Sequence, residues 1–294
     1  MVAVKNARES HIVLPDRRTL AYAEYGPPNG YPVLYCHGFP SSRLEAQLWQ
    51  PAADALGVRV IAPDRPGYGC SDPCPGRTLA DFAGDAVVLL DRLGVAQAGV
   101  LGISGGGPYA LALLALAPER VARTALVGAL GPPEALAAVH DRLVPFLRRA
   151  WRMAQYCPAL IPFWAGLGTQ ALRLRSRWAF NAQCVAGSDL MVLADPEIRG
   201  LLRRSQREGL RRGVVGAARD LVLYLCPWGF SLAGVSASLT IWHGQADRLV
   251  PVDMARELAC RLTRSHIRVL AGEGHYSLPV RHRTEIMRSV LRDA

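Results

Sequence analysis

The chain has 294 residues, half of them hydrophobic and a fifth charged, so it can bury a substantial core and is too apolar to stay disordered. Its formal charge of +10 comes almost wholly from arginine, with Lys5 the only lysine; no nucleic-acid-reading element accompanies that charge, and no nucleic-acid partner is expected. Seven cysteines without a repeated short spacing suit a reduced protein, and Cys70 and Cys74 lack the second pair that zinc requires, so neither a disulfide framework nor a metal is expected.

The N-terminal residues contain no apolar stretch of signal-peptide length, which points to the cytoplasm. His11 to Leu14 and Thr19 to Tyr25 read as two strands of a hairpin turning at Pro15-Asp16-Arg17-Arg18. The continuous apolar run Pro32 to Cys36 suits a strand buried on both faces. A helix is expected over Ser42 to Leu56, then a strand over Val58 to Ala62. Thr78 and Asp81 mark the start of a helix that runs to Leu93. Ala98 to Ile103 reads as a strand, Pro108 to Leu116 as a helix and Ala122 to Gly128 as a strand. This alternation predicts a parallel sheet with helices on both faces.

From about Gly131 the pattern changes. Residues 131–232 carry no convincing strand, only apolar helical stretches broken by prolines. Met153 to Leu172, uncharged and flanked by arginines, is the segment best suited to touch a membrane surface, although Pro158 and Pro162 argue against a span. The alternation then returns, with strands at Leu239 to Trp242 and His266 to Leu270 and helices at Pro251 to Leu262 and Arg281 to Leu291. The expected organisation is a core of residues 1–130 and 233–294 with a helical insertion over 131–232.

Gly102-Ile103-Ser104-Gly105-Gly106 fits G-x-S-x-G, and its setting carries more weight than its length. A strand ends at Ile103 and Pro108 stands in the first turn of the next helix, where its missing N–H costs nothing. A serine there must take a strained backbone, and small residues on either side allow the chain to double back. A phosphate-binding turn would want G-x-G-x-x-G or a following lysine, and neither is present. Gly229-Phe230-Ser231-Leu232-Ala233 lacks both the second glycine and a preceding strand.

A serine hydroxyl needs a neighbouring base. Of seven histidines, His275 lies in the loop Ala271 to His275 after the last strand, where its ring can hang over the sheet edge. The base needs a carboxylate to fix its tautomer, and Asp247 follows the strand that ends near His243, with Glu273 and Asp253 as rivals.

These residues resemble the α/β-hydrolase superfamily across 20–130 and 236–280. The order Ser, Asp, His is the one expected of that fold. Cys36-His37-Gly38-Phe39-Pro40 is similar to the family's oxyanion segment, which implies that Phe39 and Gly105 donate backbone N–H groups to an oxyanion. Asp64 to Ser71 is similar to the family's D-x-x-G-x-G-x-S loop, in which Tyr68 could reach the pocket. The resemblance implies an α/β-hydrolase fold with a helical cap over the strands' carboxyl ends. It also implies a serine hydrolase that needs no cofactor and acts on a small-molecule substrate.

The leading expectation is a small or medium, largely apolar carboxylic ester. A thioester, lactone, amide or carbon–carbon substrate and a low-turnover receptor remain open alternatives. The insertion holds fourteen arginines against seven acids and most of the chain's phenylalanine and tryptophan, including Phe163, Trp164, Trp178, Phe180 and Trp228. Phe163, Trp164 and Trp228, with His37 and Tyr68 from the core loops, are candidates to line the pocket.

Overall fold

The computed structural model describes residues 7–143, 145–174, 185–233, 235 and 238–291. Its first part runs β1 (Arg8–Val13), β2 (Thr19–Tyr25), β3 (Tyr31–Cys36), α1 (Gln50–Leu56), β4 (Val58–Pro63), α2 (Leu79–Arg92), β5 (Ala98–Ile103), α3 (Gly107–Leu116) and β6 (Val121–Val127). Six helices follow: α4 (Pro133–Ala138), α5 (Pro145–Tyr156), α6 (Ile161–Leu174), α7 (Gly187–Ala194), α8 (Pro196–Gly209) and α9 (Val215–Leu225). The chain then resumes as β7 (Leu239–Gly244), α10 (Val252–Ala259), β8 (Ser265–Leu270), α11 (Ser277–Arg281) and α12 (Arg283–Arg288). Among the described residues no helix is long and apolar enough to cross a membrane.

The eight strands form one sheet in the order β1-β2-β4-β3-β5-β6-β7-β8. The β1–β2 and β2–β4 pairs are antiparallel and all others are parallel. Side chains alternate across the sheet as the period of two requires. In β5, Val100 joins the core under α2 and α3, while Leu101 and Ile103 join the opposite core with Trp49, Ile286 and Met287. Central strands are buried on both faces, and the edge strands β1 and β8 are largely exposed.

Two expected helices are interrupted. The one beginning after Ser42 is a 3₁₀ segment over Arg43–Trp49, and α1 starts afresh at Gln50 with Pro51 in its first turn. Proline fits a first turn but removes a donor from a helix interior, so the segment divides there. The closing helix is shorter and split at His282, with Pro279 inside α11. Thr78 does cap α2, its hydroxyl and the Asp81 carboxylate forming a reciprocal capping box.

The insertion is tied to the core by a buried polar cluster centred on Asp220 of α9. Arg65, from the loop after β4, donates to Asp220 Oδ2 at 2.9 Å through Nε, and Arg77 donates to Oδ1. The hydroxyls of Tyr68, at 2.8 Å, and Tyr109 also donate to this carboxylate. All five residues are fully or almost fully buried. Burial alone would raise the Asp220 carboxyl, but the two guanidinium groups outweigh it and hold the group well below the carboxylate range. Close packing completes the joint: a Cβ on Gly209 of α8 would fall 2.0 Å from the Ser41 carbonyl oxygen.

Asp220→Asn is therefore expected to leave two buried arginines without a counter-charge and to cost about 3–5 kcal/mol in equilibrium urea unfolding. Asp253→Asn, which breaks the pairs of Asp253 with exposed Arg142 and Arg256, should cost under about 1 kcal/mol. Equal costs for the two would show that the Asp220 cluster does not hold the insertion.

Candidate active site

Ser104 stands where β5 gives way to α3, with φ of +51°, a region a non-glycine residue occupies only under constraint. The constraint is close packing on both sides. A Cβ on Gly106 would lie 2.0 Å from the Cys36 carbonyl oxygen, and one on Gly102 would lie 2.7 Å from Ala110 Cβ. Only glycine fits at either place, and the tight turn carries the Ser104 side chain to the carboxyl end of the sheet.

Two other strand ends bring partners to it. His275, on the loop after β8, has Nε2 at 3.0 Å from Ser104 Oγ and Nδ1 at 2.7 Å from Asp247 Oδ2. Asp247 follows β7, and its Oδ1 accepts the backbone N–H groups of Leu249 at 2.8 Å and Val250 at 2.9 Å. Burial would raise Asp247, but the charge and hydrogen bond of His275 prevail and hold it below the usual carboxylate value. Burial would likewise lower His275, and the Asp247 carboxylate outweighs it, so the imidazole is raised. With its proton held on Nδ1 by Asp247, His275 presents an Nε2 lone pair to the hydroxyl, the arrangement that lets an imidazole remove a serine proton.

The rival acids sit elsewhere. Glu273 lies 3.3 Å from Arg281 and 3.4 Å from His282, and Asp253 pairs with Arg142 and Arg256. Phe39 and Gly105 are adjacent: a Cβ built on Gly105 would stand 2.7 Å from Phe39 Cβ. His37 donates from Nδ1 to the Gly38 carbonyl at 2.9 Å and is buried under this loop. Burial and neighbouring Arg65 push its imidazole far below the ordinary value, so it stays neutral.

Beside Ser104 and His275 lies a cavity of about 60 Å³. Its walls are Phe39, Leu48, Ile103, Leu202, Pro279 and Val280, with Ser41, Glu45 and Gln206 as polar members. The insertion contributes Leu202 and Gln206, both on α8. The aromatic lining comes from Phe39 and Tyr276, not from the residues expected from the sequence. Phe163 is 65% exposed, because α6 buries the opposite stripe of Ile161, Ala165 and Thr169. Trp164 borders a crevice between α5, α6 and α9, and Trp228 borders a separate groove beside Phe230. Tyr68 spends its hydroxyl on Asp220, and neither it nor His37 lines the cavity. Trp178 and Phe180 lie outside the described residues.

A profile of the alpha/beta hydrolase fold matches residues 31–281. The chain belongs to this family. It is 35% identical over 123 residues to a non-heme chloroperoxidase of Streptomyces lividans, a match that spans 41% of this chain and 45% of that one. It is 27% identical over 251 residues to a 2-hydroxymuconate semialdehyde hydrolase of Pseudomonas putida, covering 84% of this chain and 82% of the relative. Among solved structures, a thermophilic esterase from Thermogutta terrifontis is similar with a TM-score of 0.65 at 25% identity, over 96% of this chain and 95% of that one.

This member of the family holds its histidine loop with a residue that the sequence did not single out. Asp189, fully buried on α7, accepts the backbone N–H of His275 at 3.1 Å through Oδ2. Its Oδ1 accepts those of Tyr276 at 2.8 Å and Ser277 at 2.9 Å, at the start of α11. In sequence Asp189 reads only as a first-turn helix acid, and nothing local tells that its partners lie nearly ninety positions away. The carboxylates facing His275 are Asp247, Asp189 and Glu45, and each favours the imidazolium. Removing one should let the ring lose its proton at lower pH. In an NMR titration, His275 of the native protein is expected to titrate above the ordinary value of about 6.5, and Asp189→Asn should bring it down. An unchanged titration would mean that Asp189 acts on the backbone alone.

Proposed function

We propose that this protein is a serine hydrolase that works by acyl transfer on a small carboxylic ester. The observation that carries the reading is the unbroken line from Ser104 Oγ to His275 Nε2, at 3.0 Å, and from His275 Nδ1 to Asp247 Oδ2, at 2.7 Å, beside a cavity of ester-fragment size. In this scheme Ser104 attacks the substrate carbonyl as His275 takes the hydroxyl proton. The Phe39 and Gly105 N–H groups receive the negative charge that develops on oxygen. His275 then returns its proton to the departing alcohol. Water, deprotonated by the same imidazole, releases the acid and restores the serine. Asp247 stabilises the imidazolium in both halves and keeps the productive tautomer.

Similarity to the Pseudomonas putida hydrolase, named for a semialdehyde rather than an ester, supports a second reading in which another bond is cleaved by the same groups. The small cavity favours the ester reading's short substrates over long acyl chains.

A fluorophosphonate probe is expected to modify the protein once, at Ser104, as read by peptide mass spectrometry. Ser104→Ala should abolish labelling and lower kcat on 4-nitrophenyl esters roughly 10⁵- to 10⁶-fold. Asp247→Asn should fold normally and lose roughly 10⁴-fold, whereas Glu273→Gln should change kcat little. Labelling that survives in the alanine variant would remove Ser104 from the mechanism. Turnover of thioester or lactone probes well above that of esters would favour the second reading.

A further inference from the structure

Besides Ser104, His275 and Tyr276, the cavity has a polar margin formed by Ser41, Glu45 and Gln206. Glu45, on the 3₁₀ segment Arg43–Trp49, is 8% exposed, and Gln206, on α8, is 6% exposed. Both line the cavity. Glu45 Oε2 accepts the Gly38 N–H at 2.6 Å and the Tyr35 hydroxyl at 2.8 Å. The Ser41 side chain bonds this carboxylate as well; a carboxylate has about four acceptor positions, so room for one further donor remains. Gln206 Oε1 is buried and meets no hydrogen-bond partner among the described residues. A buried amide oxygen left unpaired is destabilising, and a donor that reaches it relieves that cost.

The backbone that carries Gln206 is held by its surroundings. Ser205, the neighbour of Gln206, bonds through Oγ to the hydroxyls of Ser41 at 2.8 Å and Ser42 at 2.9 Å. The main-chain carbonyl of Gln206 accepts the N–H of Leu210 at 3.1 Å, at the end of the same helix. Gly38, which binds Glu45, immediately precedes Phe39. The polar margin is thus built from a core loop and an insertion helix that meet beside the nucleophile.

We propose that Glu45 and Gln206 form a specificity site for a hydrogen-bond-donating substituent, a hydroxyl or amino group, on the part of a small ester that fills this cavity. The inference rests on the serine-hydrolase reading and adds the chemical class of its substrate. Size limits that part: about 60 Å³ accommodates roughly four water-sized groups, which excludes a long acyl chain from this cavity. Charge limits it as well. The lining residues include Glu45 but no lysine or arginine, so a substituent carboxylate would find no permanent counter-charge there. The remaining walls, Leu48, Ile103, Leu202 and Val280, suit the hydrocarbon that carries the donor.

The test compares esters that differ only by hydroxyl against methyl. On the acyl side the pair is 4-nitrophenyl 3-hydroxybutyrate and 4-nitrophenyl 3-methylbutyrate; on the alcohol side it is 2-hydroxyethyl acetate and propyl acetate. The native enzyme is expected to prefer the hydroxyl member of one pair by about tenfold or more in kcat/KM, because the methyl analogue leaves the buried acceptors unpaired. The 3-aminobutyrate ester distinguishes an ammonium from a hydroxyl substrate, and a succinate half-ester should be the poorest of the acyl series. Gln206→Leu should bring the preferred ratio to near one, and Gln206→Glu, which keeps an acceptor, should retain most of it. Gln206→Met serves the same purpose if the leucine variant does not fold. Ratios near one for both pairs in the native enzyme, with Ser104 still labelled by fluorophosphonate, would overturn the specificity site and leave the hydrolase reading intact. Absence of both labelling and turnover would overturn the two together.

Discussion

Asp220 is where the two halves of this molecule share one buried charge. Its carboxylate faces Arg65 and Arg77, and the hydroxyls of Tyr68, Tyr109 and Tyr224 surround it. Two cations and one anion would be intolerable in a dry interior if each stood alone. They are accommodated because the spare donors are also used. Arg65 donates to the carbonyl oxygens of His37 and Gly38, and Arg77 donates to the Tyr109 hydroxyl. The Arg65 guanidinium also lies over the rings of Tyr68 and Tyr109, at 4.9 and 4.7 Å.

That cluster reaches the site through short steps. The Gly38 carbonyl that Arg65 engages belongs to the same peptide unit as the Phe39 N–H. On the other side, the Tyr224 hydroxyl lies 2.8 Å from the Gly105 carbonyl oxygen. An insertion helix therefore braces both of the backbone segments that flank Ser104. Asp189 does the same for the third side by gathering the N–H groups of His275, Tyr276 and Ser277. The insertion thus fixes the geometry of the site as well as walling it, and the strained φ of Ser104 persists because its neighbours leave no other path.

The aromatic residues of the insertion show how composition can mislead about a pocket. Phe163 lies on the side of α6 away from its buried stripe and Trp164 borders the crevice with α5 and α9, whereas the cavity wall comes from α8 through Leu202 and Gln206. An amphipathic helix tells which of its faces is apolar, but α6 has hydrophobic residues around much of its circumference. Which of them face the core then depends on where α9 packs.

The sequence by itself determined the sheet and the loops at its edge, because both are written in local terms. Short apolar runs mark the strands, Thr78 and Asp81 mark a helix start, and Gly102 and Gly106 flank the one serine whose turn needs them. The strand ends, with the G-x-S-x-G turn and the family resemblance, point to Ser104, His275 and Asp247, with Glu273 and Asp253 as rival acids, and the fold brings the first three within hydrogen-bonding distance. Only the tertiary structure decided the roles of Glu45, Asp189, Gln206 and Asp220. Each is an ordinary polar residue in its own helix, and its meaning comes from partners on another element: Gly38 and Tyr35, the histidine loop, the cavity, and the two buried arginines. Burial of a polar group is a property of the packed whole. Local sequence pattern carries no trace of it, since the same aspartate is unremarkable in water and decisive once water is gone.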